Sequence, residues 1–442
     1  MATWVRNPWN WPWWICRRST RGSTVFPGSV IRKLAHSEEV FAANETYFAL
    51  TVQISGEVDI DAVSDAFDAV LQSHPIFAGH LEKADDGRHQ IVAEDLMHPG
   101  IWLVDERTSE AALAGMQLDQ SQSLLNLRLK SSGELSELTL YAHHALADAH
   151  HVFGLLEEFF SRYTDAVATG DAGPATPQPA PEPLEVLLAQ RGVTKQPRSG
   201  LERFFPAAFA YDLPAVEKPP IALNPDSVQL IPAARIRFTE QETSDLIEFG
   251  LANQLSLNSV VAAAILLTEW ELRNTPHLPI PYVYPVDVRY LLTPPVSATG
   301  CTLPLGLASY LAEIGPDTEL VDVARGIVDA FRADLADGLI QQSTLHFSLQ
   351  YEGALPGLPP FVMCTDAGSI PAVRTPEDIE IVDFHSELHF PTRAPVDIYS
   401  CGNFAGRLFI EHHAHLEGRE TSLDAIYSRL LSLSEEDSWV ME

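Results

Sequence analysis

The chain has 442 residues, 46% of them hydrophobic, enough for two domains of ordinary size or one large one with sizeable cores. Asp and Glu outnumber Lys and Arg by 60 to 28, a formal charge of -32, which disfavours a nucleic-acid binder with its basic face. Cys16, Cys301, Cys364 and Cys401 are scattered with no C-x-x-C pair, so neither a zinc site nor a disulfide framework is indicated and a reduced cytoplasm fits; no run of about 18 apolar residues suggests a membrane span.

Residues 1–24 stand apart. Trp4, Trp9, Trp11, Trp13 and Trp14 crowd the first fourteen positions, and Arg17, Arg18 and Arg21 follow. Charges after the apolar part suit a secretory signal poorly. Two readings remain: an interfacial membrane anchor, or a non-native or disordered extension before a start at Val25. Beyond it, alternation predicts a strand from Tyr47 to Ile54, closed by Gly56. A helix follows from Asp61, a plausible cap, to Gln72, with Val63, Phe67, Val70 and Leu71 on one stripe and Pro75 as the stop. Residues 124–144 read as a hairpin. Leu125, Leu127 and Leu129 alternate with Asn126, Arg128 and Lys130, and Ser131-Ser132-Gly133 is the expected turn.

The second strand of that hairpin leads into His143-His144-Ala145-Leu146-Ala147-Asp148-Ala149-His150-His151. Leu138, Leu140, Ala142 and His144 share one face and Thr139, Tyr141 and His143 the other, so the two adjacent histidines point to opposite sides. A helix begins at once, with Val152, Leu155, Leu156, Phe159, Phe160 and Tyr163 recurring every three or four residues, and Asp148 stands where a carboxylate caps free N–H groups. One histidine is thereby held near one carboxylate between two rigid elements. That placement suits general-base catalysis by a neutral imidazole. The strand–loop–helix join cannot converge all four histidines, so no metal site is expected.

Residues 170–183, GDAGPATPQPAPEP, are a stiff proline-rich stretch that opens a connector running to about Pro232. The expected division is an N-terminal lobe over 25–180, a connector over 181–232 and a C-terminal lobe over 233–442. The second lobe opens with a strand, Ala234 to Phe238, and a helix carrying Thr243, Leu246 and Phe249. Leu257 to Trp270 is apolar all round and belongs in a core. Pro281 to Val288 reads as a strand ending in Asp287-Val288-Arg289. Leu320 to Leu335 is amphipathic, with Leu320, Val323, Ile327, Phe331 and Leu335 inward and Arg325 and Arg332 together on the polar face. Val396 to Cys401 and Leu408 to His412 form a last hairpin about residues 402–406. No G-x-S-x-G elbow and no papain-like cysteine setting is present, so a covalent acyl-enzyme is not indicated.

The nine-residue stretch resembles the HHxxxDG signature of the condensation-domain and chloramphenicol-acetyltransferase-like acyltransferases, with Ala149 where that pattern has glycine. The runs SEEVFAANETYFAL, PIPYVYPVDVR, ASYLAEIGP and APVDIYSC resemble the mycobacterial polyketide-associated members, from about Phe26 onward. The resemblance implies an α/β fold of two chloramphenicol-acetyltransferase-like lobes, each a mixed sheet flanked by helices, with the active-site channel between them. It assigns His144 as the base and His143 as structural. Asp148 shapes the site and pairs with Arg289. It implies O-acyl transfer without a cofactor. A long, methyl-branched mycocerosyl-type chain would move from a mycocerosic acid synthase-like polyketide synthase to hydroxyls of a phthiocerol-type long-chain diol. The enzyme would act as a cytoplasmic monomer, at most peripheral to the inner face of the membrane. A glycine allows a left-handed backbone, so Ala149 is expected to strain the loop if its φ is positive, and separately its β-carbon is expected to narrow the entry to His144. Two other classes stay open, an amide-forming condensation enzyme and a catalytically impaired binding or scaffold protein. For so acidic a chain, docking of a carrier domain needs local positive charge. Arg325 and Arg332 are the first candidates, and Lys195, Arg198 and Arg203 the second.

Overall fold

In the computed structural model the described residues are 29–436, apart from 94–97, 99, 106–107, 109–115, 133–134, 214–227, 274, 348–358, 392–396 and 416–417. The readings of residues 1–24 lie outside them.

Two six-stranded mixed sheets organise the chain. The first runs in the order Ile101–Val104, Leu125–Ser132, Leu135–His143, Tyr47–Ser55, Glu380–Phe390, Gln229–Leu230. Helices Ile60–Ser73 and Ala149–Thr169 cover one face of it. Leu138, Leu140 and Ala142 point into that core with Leu50, Val52 and Ile54, as period-two alternation requires. The second sheet runs Ala233–Arg237, Arg407–Ala414, Asp397–Phe404, Val362–Ser369, Ile280–Asp287, Leu305–Ala312. Helices Leu257–Leu272, Leu320–Ala336 and Arg419–Glu436 pack a separate core against it. Ser259 through Glu269 are buried without interruption, the all-round burial that the apolar sequence requires.

The strand Glu380–Phe390 lies late in the chain, yet it pairs antiparallel with Tyr47–Ser55 of the first sheet. The same chain then returns to the second sheet through Asp397–Phe404. The two sheets are therefore laced together, and a cut near residue 230 would not separate them.

Several boundaries differ from those expected. Asp59, not Asp61, caps the first long helix, its side chain accepting from the Ala62 N–H. Ser131 and Ser132 stay in their strand, opposite Ser136 and Leu135. Gly402 is also in a strand; the hairpin turn is Ala405-Gly406, with φ of +50° and +79°. A two-residue turn with both φ positive matches the right-handed twist of the strands it joins. Leu335 is 38% exposed, because Asp334 takes the inward place and binds Arg203.

Candidate active site

The strand Leu135–His143 ends where the chain must turn into the helix Ala149–Thr169. The carbonyl of His143 accepts from Leu146 N at 2.9 Å, and His144 N donates to Thr46 O at 2.8 Å. These bonds send the adjacent histidine side chains to opposite sides.

His143 is fully buried. Its Nδ1 accepts from Ala145 N at 3.3 Å, which leaves Nε2 to donate to Gln120 Oε1 at 2.9 Å. Tyr47 packs edge-on against the ring at 5.0 Å. Burial drives its pKa down to about 3, so it stays neutral. Both nitrogens are committed and none is left for chemistry.

His144 stands half-buried on the wall of a cavity of about 630 Å³. Phe41 lies against its ring at 4.5 Å and Phe48 at 5.9 Å. Nδ1 is buried and meets no well-aligned partner among the described residues, so Nε2 is the nitrogen that reaches the cavity. Burial lowers the pKa of His144, while the backbone carbonyls of His144 and Ala147 and the charge of Asp148 pull the other way. A proton on Nδ1 would leave the basic lone pair on Nε2, where a general base needs it.

The loop behind His144 is clamped from the second sheet. Asp148 is the helix N-cap, its Oδ1 accepting from His151 N at 3.1 Å. Its Oδ2 accepts from Arg289 NH2 at 2.5 Å. Arg289 is only 1% exposed and also grips Asp287, with Nε at 2.9 Å from Oδ1 and NH2 at 2.8 Å from Oδ2; NH1 donates to the Ala298 carbonyl. Asp287 ends its strand and Arg289 sits in the turn that follows, so one guanidinium ties the first sheet's helix to the end of a second-sheet strand. Burial alone would raise the pKa of Asp287; hydrogen bonds from His150 and Arg289 outweigh it and leave Asp287 at about 2. His150 Nδ1 lies 3.2 Å from Asp287 Oδ2, a hydrogen bond that raises the His150 pKa.

The four histidines do not gather. His151 is buried against Phe77 at 5.4 Å, and burial together with the nearby Arg289 charge takes its pKa to about 3. Among the described residues, only Asp148, His150 and Asp287 bring potential metal ligands within 4.8 Å of one another. The Arg289 guanidinium already bridges those two carboxylates, so a metal ion would have to displace a buried cation.

Ala149 is the first residue of its helix, lines the cavity and does not have positive φ. The expectation of strain fails, because the helix starts directly after Asp148 and leaves no left-handed position for a glycine to serve. Arg325 and Arg332 stand exposed on the helix Leu320–Ala336, with Arg332 NH1 3.6 Å from Asp329 Oδ1. In the second candidate group Lys195 and Arg198 are exposed, with Arg198 3.6 Å from Asp337. Arg203 is not available for docking: it binds Asp334 at 2.5 Å and the Ser309 carbonyl.

The sequence reading missed Asp287 as a site residue, although its spacing from Arg289 placed both at one strand end. The channel between the lobes was expected from the resemblance, but its apolar lining was not. Its walls are mostly aromatic and aliphatic; Phe48, Leu307, Phe384 and Phe409 come from strands of the two sheets and Phe41 from the helix His36–Ala43.

Two laced mixed sheets with a histidine loop at their junction define the condensation-domain class of fold. The first condensation domain of the calcium-dependent antibiotic synthetase aligns with a TM-score of 0.61 at 14% identity, over 91% of this chain and 95% of that one, a likeness of fold alone. Residues 227–413 match the family described as "Phthiocerol/phthiodiolone dimycocerosyl transferase C-terminus". A relative from Mycobacterium tuberculosis (strain H37Rv), named "Phthiocerol/phthiodiolone dimycocerosyl transferase", is 54% identical over 422 residues, covering 95% of this chain and all of its own length. The solved structure of polyketide synthase associated protein 5 from Mycobacterium tuberculosis superposes with a TM-score of 0.84 at 53% identity, over 93% of this chain and 100% of that one. The chain belongs to the phthiocerol/phthiodiolone dimycocerosyl transferase family.

Proposed function

We propose that the chain is an O-acyltransferase that moves a long methyl-branched acyl group from a polyketide-synthase thioester to the hydroxyls of a phthiocerol-type diol, forming diester wax lipids. The observation that carries this is His144, kept neutral by burial, with its open nitrogen facing a large apolar cavity. Family membership supplies the substrate class.

In this reading His144 Nε2 takes the proton of the acceptor hydroxyl as that oxygen attacks the thioester carbonyl. The carbon–sulfur bond breaks, and the departing thiolate takes the proton back from the imidazolium. Apolar walls exclude water that would otherwise hydrolyse the thioester. The enzyme is taken to act as a monomer. Among the described residues no single helix is long and apolar enough to cross a membrane. The synthase is taken to dock near Arg332 and Arg325, exposed cations on an otherwise acidic molecule.

The test is mass spectrometry of products from purified protein offered a panel of branched and straight acyl thioesters with long-chain alcohols, diols and amines. Esters of the diol are expected. Amides as the main product, or no transfer from any thioester, would sink the reading.

A further inference from the structure

Polar side chains on the cavity wall differ in what they have left to offer a ligand. Ser386 and Ser400 give their protons to the buried carboxylate of Glu411, at 2.5 Å and 3.1 Å. Thr46 Oγ1 donates to the Asn44 carbonyl at 3.4 Å. Asn44 itself is half-buried, lines the cavity and closes the helix His36–Ala43 as its C-cap. Its Nδ2 donates to the Val40 carbonyl at 2.7 Å. A carbonyl only accepts, so the nitrogen end of the amide is fixed there. The second N–H of Nδ2 and the lone pairs of Oδ1 meet no partner among the described residues.

Capping the helix uses the bond to Val40 alone. The rest of the amide is unspent, and the backbone holds it beside His144. Thr46 N donates to Phe41 O at 3.0 Å, and His144 N donates to Thr46 O at 2.8 Å. Helix end, strand and histidine loop are thus tied by consecutive bonds, with Glu45 making the turn at a φ of +44°. Phe41, three residues before Asn44, lies against the His144 ring at 4.5 Å. Side chains three apart on a helix are neighbours, so the Asn44 amide sits roughly 5 Å from the place where Phe41 meets the imidazole. With hydrogen bonds of ~2.8 Å and C–C bonds of ~1.5 Å, an oxygen that reaches Asn44 while a hydroxyl lies at His144 belongs to a carbon about two or three bonds away.

A free donor beside a free acceptor suits two different ligand groups. Oδ1 accepts from a hydroxyl, and the N–H donates to an ester carbonyl, which has no proton to give. Two successive transfers to neighbouring hydroxyls present both. The first has a free hydroxyl beside the reacting one, and the second has an ester there. A carboxylate in the same place would serve the first and repel the second.

We propose that Asn44 is a specificity-determining residue that holds the neighbouring oxygen function of the acceptor, hydroxyl first and ester afterwards, so that both hydroxyls of a closely spaced diol are acylated at His144. This rests on His144 as the acyl-transfer centre.

Acceptor binding is measured first, with no acyl donor, by displacement of a fluorescent fatty-acyl probe from the cavity. Three acceptors of equal chain length are compared: a plain alcohol, a diol with a single carbon between its two hydroxyl-bearing carbons, and a diol with its hydroxyls at opposite ends. The close diol is expected to bind about tenfold more tightly than both others, the worth of one hydrogen bond. Asn44→Leu should bring that ratio near one, with circular dichroism and a melting curve reporting the fold. Equal binding of the three acceptors by the unmodified protein overturns the proposal without any variant. A preference that survives in a folded Asn44→Leu protein overturns it too. An acyl thioester is then added, and mass spectrometry counts monoesters and diesters of the close diol. Asn44→Asp should raise the monoester-to-diester ratio about tenfold, and an unchanged ratio in the folded variant would refute the role in the second transfer. An intact binding preference with no ester formed from any acceptor would count against His144, not against Asn44.

Discussion

Asp148 has two jobs, and substitution can separate them. Asp148→Asn keeps an oxygen at the N-cap, where asparagine serves as well as aspartate. It removes the charge opposite Arg289. A hydrogen bond between charged groups is worth about 1.5–3 kcal/mol. The Asp148 side chain is 21% exposed and Asp287 still neutralises the guanidinium, so the lower end applies, about 1.5 kcal/mol. Asp148→Ala also forfeits the bond from His151 N, about 1 kcal/mol more. Arg289→Met leaves Asp148 and Asp287 facing each other with only His150 between them, at about 3–5 kcal/mol. The expected order of loss is thus Asn, then Ala, then Arg289→Met. Urea unfolding at neutral pH measures it, provided the denaturant slopes agree. Turnover should fall alongside, because the clamped loop carries His144. An Asp148→Asn protein as stable as the unmodified one would refute the ion-pair argument; Asn and Ala variants of equal stability would refute the capping argument.

His144→Ala should lower turnover by roughly 10²–10⁴ with the fold intact, the usual worth of a placed general base; His143→Ala should act mainly on the melting temperature. Since burial lowers the His144 pKa, the acid limb of kcat/KM should fall below the ordinary histidine value of about 6.5, and a limb above it would contradict the assignment. His143 and His151 are held near 3 in the folded state, so the unfolded chain binds more protons below about pH 6.5; stability should therefore decline as pH falls from about 6.5 toward 3, read by urea titrations across that range. Ala149→Gly should give no gain in activity and a loss of up to about 1 kcal/mol, because the residue opens a helix and its φ is not positive. Arg332→Glu should weaken transfer from a carrier-bound acyl group while sparing a small soluble thioester; parallel assays with the two donors decide it, and equal losses would make the residue structural.

Local physics was legible from the residues in order. Period-two alternation placed Leu138, Leu140 and Ala142 on one face and His143 on the other, and the structure keeps that division. Asp148 had the right residue type in the right place to cap a helix, and it does. An apolar run at Leu257 had to be buried on every side, and it is. These outcomes depend on neighbours within a few positions, so the chain order alone carries them. The pairing of Asp148 with Arg289 came instead from likeness to a family, since no local rule links positions 141 apart.

Other features depend on contacts that no local pattern encodes. Nothing near Glu380 announces that its strand will join Tyr47–Ser55 rather than its own neighbours, because strand pairing is a long-range choice. That choice laces the two sheets together and brings Ser386 to the cavity wall. Asp59 wins the cap from Asp61, and Asp334 takes the inward place in front of Leu335 through its ion pair with Arg203. The meaning of Ala149 also turned on tertiary placement: the residue type signals strain only where φ is positive, and the backbone angle is set by where the helix begins. The residues of the loop singled out His144 as the candidate base; only the packing of the two sheets made the apolar space that it faces, because that space exists between elements far apart in the chain.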